Sequence, residues 1–60
     1  MNATLTPLLT TAELAAYLKK PVDTVRDWRY QGTGPAYIKV GQAVRYRQDA
    51  VEAWLEEQAA

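Results

Sequence analysis

Sixty residues, 48% hydrophobic and 23% charged, describe an ordinary globular chain of the length of one small domain, residues 1–60, which buries only roughly 60% of its unfolded surface. The chain holds no Cys and no His, which excludes disulfides and thiolate metal sites and removes the usual general base and the commonest metal ligand; it reads as a binding module rather than an enzyme, with no metal and no cofactor. Seven acidic residues cancel seven basic ones, yet every base falls between Lys19 and Arg47 with only Asp23 and Asp27 against them, so that segment carries +5 and the remainder −5.

Residues 1–7 and 58–60 are expected to be flexible ends. Met1–Pro7 has neither the basic start nor the apolar run of a secretory signal, and no stretch is long and apolar enough to span a membrane. These features and the lack of cysteine fit a cytoplasmic protein with no membrane partner. Thr10-Thr11-Ala12-Glu13 has the spacing of a capping box, with Leu9 and Leu14 at the positions of a hydrophobic staple. A first helix then runs to about Leu18 or Lys19. Its stripe of Leu14, Ala15 and Leu18 faces the core, and Lys19 and Lys20 suit the negative end of its dipole. Pro21 breaks this helix and suits the first position of the next, which runs to about Tyr30 or Gln31 with Asp23 in its first turn. Val22, Val25, Trp28 and Arg29 share one side of that second helix, Val25 and Trp28 being core residues, while Asp23, Arg26, Asp27 and Tyr30 face away. Only two or three residues separate the helices, which is the spacing of a helix-turn-helix.

Gly32-Thr33-Gly34-Pro35 ends the second helix and reverses the chain. Tyr37–Val40 and Val44–Arg47 alternate with period two about Gly41-Gln42-Ala43 and predict a β-hairpin. A two-residue loop would pair Ile38 with Arg45 and mix the faces. A three-residue loop pairs Val40 with Val44, Lys39 with Arg45 and Ile38 with Tyr46, keeping one face apolar and one basic, and is preferred, although it places Ala43 where glycine is usual. Asp49-Ala50-Val51-Glu52 has a second capping-box spacing. A third helix from Ala50 to about Gln58 buries Val51, Trp54 and Leu55.

Helix, tight turn, helix, basic hairpin, helix is the order of a small winged helix-turn-helix, mainly α with a β-hairpin wing. An α-helix fits the major groove of B-DNA, about 12 Å wide, and a thin basic ribbon can follow the backbone or enter the minor groove. Arg45 and Arg47 would meet phosphate oxygens there. Trp28 and Trp54 could stack on bases, but their places in apolar stripes make them core anchors, with Tyr46 beside them. Asp23 and Asp27, one turn apart, lack the further ligands of a metal site. The functional reading gives them cytosine amino groups to accept from, and repulsion of mismatched DNA.

Leu8-Leu9-Thr10, Glu13 to Leu18, Thr24 to Arg29, Val40-Gly41, Arg45-Tyr46-Arg47 and Val51 to Leu55 together resemble the excisionase-type branch of the MerR-like winged helix-turn-helix proteins, over about residues 8–56. The run Trp28 to Pro35 is similar to small excisionases of actinobacterial phages. The resemblance implies a recombination directionality factor that binds repeated sites side by side on double-stranded attachment-site DNA. It would bend that DNA, contact neighbouring copies of itself head to tail, and help an integrase excise a prophage in a bacterial cell. It also implies that Asp23, Thr24, Arg26, Asp27 and Tyr30 contact bases or backbone from the recognition helix, with Lys19, Lys20, Lys39, Gln42, Arg45 and Arg47 serving as turn and wing contacts. Lys19-Lys20-Pro21 replaces the family's usual Gly-Val-Ser turn, and Gly41-Gln42-Ala43 replaces a basic wing tip. An AlpA-type transcription regulator shares the same pattern, and a module for an acidic protein partner is the reading outside DNA. The expected core is Leu14, Leu18, Val25, Trp28, Ile38, Val40, Tyr46, Val51, Trp54 and Leu55.

Overall fold

The computed structural model describes residues 7–59, so the flexibility expected of residues 1–6 and 60 concerns positions outside the described residues. In order the elements are β1 (Leu8–Leu9), α1 (Thr11–Leu18), α2 (Val22–Gln31), β2 (Ile38–Val40), β3 (Ala43–Arg47) and α3 (Gln48–Ala59). The capping box at the start of α1 is formed in both directions. The Glu13 backbone N–H donates to Thr10 Oγ1 at 3.0 Å, and the Thr10 N–H donates to Glu13 Oε1 at 2.9 Å. Two otherwise orphaned donors are thereby satisfied.

α1 and α2 end in the same way. At α1 the Lys20 N–H reaches the Ala15 carbonyl at 2.9 Å and the Lys19 N–H reaches that of Ala16 at 3.1 Å; at α2, Thr33 reaches Trp28 at 2.8 Å and Gly32 reaches Arg29 at 3.2 Å. Each is a Schellman-type closure, which needs one left-handed residue. Gly32 supplies it with φ 77°, and Lys19 supplies it with φ 58°. Pro21 then stands at the N-cap of α2, not at its first helical position, and makes no side-chain cap.

The core takes a side chain from every helix and from the central strand. Leu14, Ala15, Val25, Tyr46 and Val51 are each at most 1% exposed. Leu9, Leu18, Val22, Trp28, Val44 and Leu55 are half-buried against them. Full burial of a leucine or valine, as at Leu14, Val25 and Val51, contributes about 1.5–3 kcal/mol each. Trp54 is also half-buried, its ring 5.2 Å from that of Trp28 at a tilt of 44°, within the range where aromatic pairs attract beyond simple burial.

The sheet corrects the sequence reading in two places. β1 pairs antiparallel with β3, Leu8 opposite Arg47 and Leu9 opposite Tyr46, giving a three-stranded sheet in the order β1-β3-β2. The hairpin register is Ile38 with Arg45, Lys39 with Val44 and Val40 with Ala43, so the loop is the two residues Gly41-Gln42 and not the three expected. Gly41 carries the positive φ of 64° at the first loop position, where a type II′ turn requires glycine, and Ala43 is spared a left-handed conformation. Directly opposed residues share a face of the sheet. Ile38 and Val40 therefore stand with Arg45 and Ala43 on the outer face and not in the core, 39% and 53% exposed. Tyr46 and Val44 fill the inner face in their place.

α3 also begins earlier than expected. It starts at Gln48, immediately after β3, which puts Asp49 inside the first turn and not at an N-cap. Its carboxylate instead pairs with Arg47, Nε to Oδ1 3.4 Å, and Gln48 donates to Glu52 at 3.4 Å.

Candidate nucleic-acid interface

α2 positions the first half of the site. Val25 is buried, and Val22 and Trp28 pack against the core, which turns the opposite side of the helix to solvent. Asp23, Arg26, Asp27 and Tyr30 lie there at helical spacing i, i+3, i+4 and i+7, all exposed, the large ring of Tyr30 to 74%. Thr24 is half-buried at the edge of this stripe. Arg26 Nη1 lies 3.2 Å from Asp23 Oδ1. Lys19 and Lys20, both exposed, occupy the turn that leads into the stripe.

Arg29 is turned the other way and is half-buried. Its Nη1 donates to Thr11 Oγ1 at 3.2 Å and to the Tyr46 hydroxyl at 3.4 Å. The guanidinium also lies over the rings of Tyr30 and Tyr37, at 5.4 and 5.9 Å from their centroids. The hydrogen bond that Arg29 donates to Tyr46 raises its pKa above the ordinary value against an opposing contribution from burial, with Tyr30 adding to the increase. One of the seven bases is thus spent on fixing α2 to α1 and β3. Its place beside Val22, Val25 and Trp28 on the helical wheel was the signal for this in the sequence.

The wing supplies the second half. Arg45 and Arg47 share the outer face of β3, while Lys39 lies opposite Val44 and so is directed to the other face. Arg45 is half-buried, its Nη1 donating to the Val44 carbonyl at 2.7 Å, whereas Arg47, Lys39 and the tip residue Gln42 are exposed. The expected division into one basic and one apolar face does not form, because the shorter loop places Ile38 and Val40 beside the two arginines. The apolar outer face, which β1 extends through exposed Leu8 opposite Arg47, is a feature that the sequence reading missed.

Two helices joined by the three-residue turn Lys19–Pro21, the second presenting a polar stripe and followed by an arginine-bearing hairpin, define a winged helix-turn-helix. The chain belongs to the helix-turn-helix domain family, whose model matches residues 8–59, and it is a DNA-binding domain of that class. Neither the curated proteins nor the solved structures provide a match to it.

Proposed function

We propose that the chain is an excisionase-type recombination directionality factor: a sequence-specific, non-enzymatic protein, acting as one domain in the cytoplasm of a bacterial host. α2 enters the major groove, with Asp23, Thr24, Arg26, Asp27 and Tyr30 toward bases and nearby phosphates. Lys19 and Lys20 meet the backbone at the turn. Lys39, Gln42, Arg45 and Arg47 follow the adjacent backbone or minor groove. The observation that carries the DNA reading is the polar stripe of α2, held outward by the burial of Val25 and by the inward anchoring of Arg29. At ten residues α2 is about 15 Å long, a length that a major groove accommodates.

The excisionase reading within that class rests on the ordered set of fragments from Leu8 to Leu55 that resemble this branch. Copies bind repeated attachment sites side by side, bend the duplex and assist an integrase. Gel shifts and footprints on the attachment-site DNA of the encoding element test it. A ladder of evenly spaced complexes supports the excisionase; one isolated footprint, at a promoter, replaces it with an AlpA-type regulator. Equal binding to every duplex removes sequence specificity and favours a module for an acidic protein.

A further inference from the structure

We propose that Asp23 is a specificity-positioning residue: it holds the Arg26 guanidinium outward as a fork for the paired acceptors of guanine, and does not itself touch DNA. This rests on the reading of α2 as the recognition helix. The two arginines of α2 have opposite environments. Arg29 is clamped inward by Thr11, Tyr46 and two aromatic rings. Among the described residues Arg26 is held on the outer face by Asp23, Nη1 to Oδ1 3.2 Å, with the two side chains 46% and 88% exposed. An ion pair this open adds little to folding stability, so its consequence lies in what it does to Arg26.

It does two things. A free arginine side chain must surrender its rotamer freedom when it binds, and a partner that already restricts it lowers that cost. The carboxylate also occupies one of the five N–H donors and neutralises the local charge. A phosphate, recognised chiefly by charge, then gains less from Arg26. Guanine O6 and N7, recognised by the geometry of two parallel hydrogen bonds, lose little. Asp23 thereby biases Arg26 away from the backbone and toward a base edge.

Selection from a random-sequence duplex pool, followed by salt titrations on the selected duplex and on a random-sequence duplex, tests this with the full chain and its variants. The unaltered chain is expected to converge on a motif with one strongly preferred guanine. Asp23→Ala, at an exposed site and checked for its helical melt, lowers discrimination at that guanine by roughly three- to tenfold, a fraction of what loss of a whole bidentate contact removes. It tightens binding to the random duplex and steepens the salt dependence by about one phosphate contact. Asp23→Glu keeps the original discrimination, and in an Arg26→Ala background Asp23→Ala no longer changes the preference at that position. Unchanged discrimination in Asp23→Ala overturns the proposal, whatever the salt slope does. So does a change in discrimination that persists without Arg26, which makes Asp23 a direct contact. Failure of the unaltered chain to select any motif overturns the recognition-helix reading itself, and this inference with it.

Discussion

Lys19 and Gly32 occupy equivalent positions at the ends of successive helices, yet only one of them is suited to a left-handed backbone. A residue with a Cβ at φ 58° carries a steric cost of roughly 1–2 kcal/mol, partly offset because glycine would lose more freedom on folding. Lys19→Gly is therefore expected to stabilise the fold by about 0.5–1 kcal/mol in a denaturant melt. If the ammonium meets a phosphate, the same substitution weakens DNA binding and reduces the salt slope by about 0.9. Stability and affinity moving in opposite directions is the expected result; a loss of stability contradicts it. Arg26→Ala is expected to weaken binding to the preferred duplex by about 1–3 kcal/mol while changing random-duplex affinity much less. Equal losses on both, measured by competition titration, would reassign Arg26 to the backbone.

Among the elements, the helices were the more legible. Thr10 and Glu13, the Pro21 break and the Val22, Val25, Trp28 stripe act over three or four residues, so their chemistry is local and survives in the sequence. The sheet depends on partners distant in the chain. β1 is two residues long, too short to show any alternation, and its existence rests on pairing with Tyr46 and Arg47 far along the chain. The hairpin register turned on one backbone angle at Gly41. An argument from apolar segregation chose the longer loop because it assumed that both faces of so thin a ribbon must sort by polarity. Only the face against α1 and α3 is obliged to do so. Within the site, the outward residues of α2 followed from helical spacing, whereas the Arg47–Asp49 pair depended on where α3 begins. For the wing, replacing Arg45 and Arg47 together by alanine should flatten the dependence of log affinity on log salt by up to about 1.8. An unchanged slope takes β3 out of the interface.

At the scale of the molecule, stability is the narrow margin. For chains of this size it amounts to roughly 3–9 kcal/mol in all. Trp28 sits where α2, the Gly34 turn and α3 converge: its side chain touches the position a Cβ would occupy on Gly34, at 3.0 Å, and its ring meets that of Trp54. Trp28→Ala should cost about 3–5 kcal/mol, enough to leave much of the population unfolded at room temperature, with near-ultraviolet circular dichroism lost along with the helical signal. A cooperative melt close to that of the unaltered chain would show that the two rings do not hold these parts together.

The absence of any connector between β3 and α3 has a mechanical corollary. With Arg47 in the strand and Gln48 already helical, the ribbon and the terminal helix join as one crank, so the setting of the strand fixes the direction in which Val51 enters the core. Adding a single alanine between Arg47 and Gln48 would rotate everything beyond it by about 100°, swinging Val51 out of the core and putting Ala50 in its place, with Ala53 in the place of Trp54. Such an insertion is expected to abolish the thermal transition altogether, and a surviving transition would mean that the crank has a joint.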